Sequence, residues 1–196
     1  MNPRWDSEPA RDRLRELNIP LDAAVGTLSG GQRAQVALAL TLAKRPRVLL
    51  LDEPVAALDP LARRHFLGTL ADAVAQGGLT VVLSSHLVAD IERVCDHLIL
   101  LASSRVQLCG DIDALLAEHQ LLVGPRKDTT AIERDHTVVQ AERTARQTTM
   151  LVRLHGPVAD PSWETADVSL EDMVLAYMGA DAALATAELT ATGGKR

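Results

Sequence analysis

Two adjacent acids, Asp52 and Glu53, follow the apolar run Val48 to Leu51 directly and stand before Pro54. A buried strand that delivers neighbouring carboxylates suits magnesium-dependent phosphoryl transfer, in which one acid holds the hydrated metal and the next orients or deprotonates the attacking water. On that chemistry Asp52 is the metal acid and Glu53 the water acid. His86 lies just past a second apolar run, Leu79 to Ser84, within the segment VVLSSH. An imidazole there can hydrogen-bond a terminal phosphate and link it to the catalytic acid. Upstream, LSGGQ at Leu28 to Gln32 opens a helical run with a serine and two glycines. Glycines at a helix start leave backbone N–H groups uncovered, and the helix dipole adds a favourable potential for an anion. Asp59, in AALDP, reads as a helix N-cap acid followed by Pro60 at the first helical position.

Each of these has a plainer explanation when taken alone. Ser29 serves as an ordinary helix cap, Asp52 and Glu53 as acids of a solvated loop, Asp59 as a cap, and His86 as a surface histidine. What is specific is that all four segments occur in one order within sixty residues.

Positioning them requires particular elements. A short helical pattern around Pro9 to Leu17 ends at Asn18 and Pro20, and a loop leads to Ser29. Val36, Leu40 and Ala43 recur at helical spacing over Gly31 to Lys44, and Pro46 stops that helix. Val48 to Leu51 reads as a strand buried on both faces, with its acids at the C-terminal end, where α/β sheets place their sites. A helix from Asp59 ends at Gly77 and Gly78, and Leu79 to Ser84 forms a second buried strand. A helix from Leu87 to about Cys95 precedes two short runs, Leu98 to Leu101 and Val106 to Leu108, which form a hairpin. Asp111 caps a helix over Ile112 to His119. The character then changes, with strand-like pieces at Leu121 to Val123, Thr137 to Val139 and Thr149 to Leu154. Ser169 caps a last helix, Leu170 to Met178, ahead of an Ala/Thr-rich tail expected to be disordered.

Composition narrows the partners. The chain has 196 residues, a formal charge of -6, 47% apolar residues and only 2% aromatics. A core of Leu, Val, Ile and Ala suits helices packed on a sheet, an α/β class. The acidic balance argues against nucleic acid as the main partner. Cys95 and Cys109 have no metal-ligand spacing, which together with the charged start suits a reducing cytoplasm. The longest largely apolar stretch, Ala34 to Ala43, is interrupted by Gln35 and Thr41 and falls far below the ~18 residues of a membrane span. A membrane role therefore requires a partner.

In order, LSGGQ, LLLDEP, ALDP and SSH resemble the signature motif, Walker B, D-loop and H-loop of ATP-binding-cassette (ABC) ATPases, over roughly residues 8 to 118. The resemblance implies that Ser29, Gly30, Gly31 and Gln32 contact nucleotide, Asp52 holds Mg2+, Glu53 is the catalytic base, Asp59 the D-loop acid and His86 the phosphate-sensing histidine. It also implies ATP as cofactor, and a transmembrane permease and a second ABC ATPase subunit as partners. The location it implies is the cytoplasmic face of the membrane. Ala56 and Ala57 stand where Ser-Ala is common in that family. The closing VSLEDMVLAYMG is similar to the C-terminal extension of bacterial drug-exporter subunits.

The family's phosphate-binding loop, GxxGxGK[ST], is absent. Gly26 to Gln32 shares only the first and last glycines of that loop, with Ser29 at the middle one, Gln32 in place of the lysine and Arg33 in place of Ser or Thr. The expectation is a partial P-loop NTPase (ABC-type) domain over 1–118 lacking its Walker A half, with Met1 inside the helical subdomain. A small α+β accessory domain over 119–180 and a tail over 181–196 complete it. Such a chain is expected to hydrolyse ATP weakly alone and to leave an apolar sheet surface uncovered. Three functions stay open: a truncated exporter ATPase, a non-catalytic protein lending its LSGGQ face to a partner, and a DNA-maintenance ATPase, which would carry coiled-coil heptads not seen here.

Overall fold

The computed structural model describes residues 5–180. The tail expected over 181–196 lies outside the described residues. The chain divides after Val94 into two units.

The first unit begins with α1 (Glu8–Glu16) and a 3-10 turn at Val25–Thr27, followed by α2 (Gly30–Leu42). Both ends of α2 are written in the sequence. Ser29 accepts from the Gln32 N–H while Gln32 accepts from the Ser29 N–H, a reciprocal capping box that satisfies two otherwise unpaired donors. At the other end Arg45 turns the chain with φ 48°. Strand β1 (Val48–Asp52) then leads to α3 (Pro60–Ala75), strand β2 (Thr80–Ser84) and α4 (Val88–Val94). Asp59 caps α3 by accepting from Leu61 and Ala62 N–H. Gly77 and Gly78, at φ 85° and 80°, end the connection where a side chain would be strained.

β1 and β2 pair in parallel over five rungs, from Val48 opposite Thr80 to Asp52 opposite Ser84. One face of this pair carries Leu49, Leu51, Val81 and Leu83 into a core with Leu38, Phe66, Leu67 and Leu70 of α2 and α3. The other face is open, with Val48 58%, Leu50 73% and Val82 54% exposed. β1 is therefore not buried on both faces as its unbroken apolar run predicts. The run specifies a strand, but only one face has helices of the described chain against it, and the burial alternates.

The second unit opens with the antiparallel hairpin β3 (His97–Ala102) and β4 (Arg105–Asp111). Ser103 and Ser104, at φ 46° and 60°, make its two-residue turn with both central residues in the left-handed region. α5 (Ile112–Glu118), capped by Asp111, runs into β5 (His119–Pro125). α6 (Thr130–Asp135), β6 (Thr137–Arg143), β7 (Gln147–Arg153) and β8 (Glu164–Asp167) follow, and α7 covers residues 170–180. The sheet order is β6-β7-β5-β8, all antiparallel. Its core holds Leu122, Met150, Val152 and Trp163, and Leu170 and Met173 of α7 are fully buried. Cys95 and Cys109 form no disulfide.

His119, 1% exposed, ties α7 to β5: its Nδ1 hydrogen-bonds the Leu115 carbonyl at 2.6 Å and its Nε2 meets the Tyr177 hydroxyl at 2.8 Å. Since a carbonyl only accepts, Nδ1 carries the proton and Nε2 accepts from the tyrosine. Burial holds the imidazole below its ordinary value, outweighing the Leu115 bond and Glu118, while Arg153 pushes the same way as burial. The unfolded chain therefore takes up a proton near pH 6.5 that the folded chain resists. This contribution to stability is full above pH 6.5 and declines as pH falls below it. Hydrogen exchange of residues 170–180, corrected for its intrinsic pH dependence, should accelerate as pH falls from roughly 7.5 to roughly 5. His119→Gln should remove most of that acceleration.

Candidate active site at the strand ends

The site residues fall into two groups within the first unit. The first forms where β1 and β2 end. Because Asp52 and Ser84 occupy the last rung of the ladder, their side chains lie together, and the Ser84 hydroxyl donates to Asp52 Oδ1 at 2.6 Å. The Ser84 hydroxyl oxygen in turn accepts from the Glu53 backbone N–H at 2.9 Å. Glu53 stands at φ 46°, a left-handed conformation that non-glycine residues seldom adopt and that collects at functional sites. Its carboxylate Oε2 meets His86 Nδ1 at 2.9 Å. The Glu53 and His86 side chains are 39% and 64% exposed, so this pair is open to solvent. Ser85 starts the next helix by accepting from the Leu87 N–H and donating to the buried Asp90 at 3.4 Å. Asp90 also lies 4.0 Å from Arg63 of α3.

The second group joins the N-termini of α2 and α3. Gly31 approaches α3 so closely that a Cβ there would fall 2.8 Å from the Ala62 Cβ, with Asp59 Oδ2 at 4.0 Å. Gly30, by contrast, has open space where its Cβ would stand. A cavity of about 150 Å³ adjoins this contact, with Ser29, Gly31, Gln32 and Asp59 among its lining residues. Ser29 and Gln32 spend hydrogen bonds on each other and Asp59 spends its own on α3, so the plainer structural roles of these residues are real. They leave the Gly30 side of the helix start accessible.

The sequence thus points to the residues of both groups, and the structure assembles Asp52, Glu53 and His86 in one and Ser29, Gly31, Gln32 and Asp59 in the other. Ser84, which stands in the SSH segment, carries no local mark of a site residue. The signal that finds it is register: two five-residue parallel strands put their last residues side by side. The donor set fits a hydrated Mg2+. Among the described residues no cluster of three or more His, Cys, Asp or Glu could enclose a metal, and a single hard carboxylate is what Mg2+ uses when waters and phosphates fill its other positions.

Residues 5–56 match the family model described as ABC transporter. The thiamine import ATP-binding protein ThiQ of Vibrio parahaemolyticus is 40% identical over 99 residues, 50% of this chain and 42% of that protein. The phosphonates import ATP-binding protein PhnC of Rhizobium johnstonii is 35% identical over 138 residues, 70% of this chain and 49% of that one. The ABC transporter ATP-binding protein YtrB of Bacillus subtilis is 26% identical over 190 residues, 90% of this chain and 64% of its own. A solved structure of cbiO1 from Clostridium perfringens, part of the transporter complex cbiONQ, is 30% identical with TM-score 0.48, covering 57% of this chain and 45% of that one. The chain is thus similar to ATP-binding subunits of ABC transporters, and it spans about half the length of the curated relatives it matches.

The close approach at Gly31 is directly testable. Gly31→Ala should lower stability by about 1–3 kcal/mol, since neither backbone can yield without repacking α2 against α3. Ala62→Gly, which removes the opposing methyl, should recover part of that loss in the double variant. Chemical denaturation of the four proteins of the cycle measures it.

Proposed function

We propose that these residues form the Walker B, D-loop, H-loop and signature portion of an ATP-hydrolysing subunit that drives a membrane exporter. It acts at the cytoplasmic face of the membrane, with a transmembrane permease and a second ATPase subunit as partners. In this reading residues 1–118 carry the ATPase portion and 119–180 an accessory domain. The observation that carries the proposal is the chain of contacts from Asp52 through Ser84 to Glu53 and on to His86. Similarity to ABC-transporter ATP-binding proteins supports the ATPase part, and the relation to ThiQ, PhnC and YtrB supports work in a transporter. Outward transport rests on VSLEDMVLAYMG alone, and the import named for ThiQ and PhnC makes direction the part of the proposal that most needs a vesicle experiment.

Each residue has a task that its geometry suits. One oxygen of Asp52 is committed to Ser84, which leaves the other for a water or Mg2+. Bound Mg2+ would neutralise charge on the β- and γ-phosphates. Glu53 offers an acceptor to the attacking water, and His86, donating through Nδ1 to Glu53, would donate through Nε2 to a phosphate oxygen as the doubly protonated imidazolium. Among the described residues no helix is long and apolar enough to cross a membrane, so anchoring falls to the permease in this proposal.

The signature face has a different client. No GxxGxGK[ST] segment occurs in the 196 residues, so the backbone cradle and lysine that hold ATP phosphates must come from polypeptide outside them. LSGGQ would act on ATP held by a partner subunit, with the open start of α2 at Gly30 facing the phosphate.

Two measurements test this. The purified chain should release phosphate from ATP at close to the background rate, and turnover like that of a complete ABC subunit would contradict the proposal. Added to a complete subunit whose own signature is disabled, it should restore turnover, and Ser29→Ala or Gly30→Asp in the chain should cancel the restoration. In the assembled ATPase, Glu53→Gln should slow hydrolysis about 100-fold or more while ATP still binds.

A further inference from the structure

We propose that Ser84 is the positioning residue of this site, the group that sends two adjacent carboxylates to different tasks. The inference rests on the reading of Asp52 as the metal acid and goes beyond it.

Asp52 and Glu53 are neighbours in sequence, and left to themselves two such carboxylates share one patch of solvent, where repulsion spreads them over many rotamers. Here a single hydroxyl separates them. Ser84 Oγ donates its only proton to Asp52 Oδ1 at 2.6 Å and accepts the Glu53 N–H at 2.9 Å. The first bond fixes the rotation of the Asp52 carboxylate and leaves Oδ2 as the oxygen available to a cation. The second holds the Glu53 backbone in its left-handed conformation, φ 46°. From that conformation the Glu53 side chain reaches His86 at 2.9 Å. A left-handed non-glycine residue persists only where its surroundings over-determine it, and the Ser84 bond is one such determinant.

Register makes this possible. Ser84 ends the strand paired with β1, opposite Asp52, so its hydroxyl is held by the backbone ladder and costs little further ordering. Hydrogen-bonded partners of a metal ligand commonly tune affinity tenfold or more without touching the metal. Such a role differs from structural support, because it requires the hydroxyl and not merely a residue of that shape.

Ser84→Thr and Ser84→Val separate the two possibilities: they match in shape, both suit a strand, and only threonine keeps the hydroxyl. The test is an NMR titration of the full chain with Mn2+ alone, followed by paramagnetic broadening of backbone amides. The native chain should show saturable broadening centred on residues 52–54 and 84–86, and Asp52→Asn should abolish it. Ser84→Val should weaken Mn2+ binding about tenfold or more and speed hydrogen exchange at the Glu53 amide, while Ser84→Thr keeps both near native. Native affinity in Ser84→Val, with Asp52→Asn still silent, overturns the role of Ser84 and leaves the metal reading standing. Absence of localised broadening in the native chain, or its survival in Asp52→Asn, overturns the metal reading and this inference together.

Discussion

The five-rung parallel pairing of Val48–Asp52 with Thr80–Ser84 is the constraint on which the acidic site depends. It fixes the level at which each strand ends, and so places Asp52 beside Ser84, Glu53 one residue further, and His86 within reach of Glu53. The same pair presents Leu49, Leu51, Val81 and Leu83 to α2 and α3. Burying Phe66, Leu67 and Leu70 against them contributes about 1.5–3 kcal/mol per side chain before ordering costs are counted. That core holds α2 and α3 side by side, where Gly31 permits the start of α2 to touch Ala62. The adjacent acids Asp52 and Glu53 and the glycine-rich start of α2 are thus two products of one packed layer.

The uncovered face of the ladder is the other consequence. Parallel strands are normally covered on both sides, yet Val48, Leu50 and Val82 meet solvent in the described chain. A pair of strands with one bare apolar face is a poor structure by itself, and apolar surface of this kind favours association. This fits the expectation, drawn from the sequence, that an apolar sheet surface is left open.

Much of the fold was legible because local chemistry and tertiary structure agree. LSGGQ is itself a capping-box pattern, and the structure uses Ser29 and Gln32 in that way. Asp59-Pro60 and Gly77-Gly78 bracket α3 as their backbone preferences require. The acids and His86 were legible from position after apolar runs. Other features lacked any local mark. β8, with the sequence ETAD, has exposed residues throughout and exists because β5 offers it an edge. α6 is six residues long, too short for a periodic pattern. The one-sided burial of β1 depends on what packs against it, which an apolar run does not encode. Ser84 needed the register between two strands thirty residues apart, a tertiary fact.

Register, and most directly the Asp52–Ser84 rung, builds the acidic site. Cross-strand nuclear Overhauser effects on the isotope-labelled chain measure that register. Parallel contacts should link Leu50 with Val82 and Asp52 with Ser84. Contacts displaced by two residues, or an antiparallel pattern that carries Ser84 away from Asp52, would contradict it.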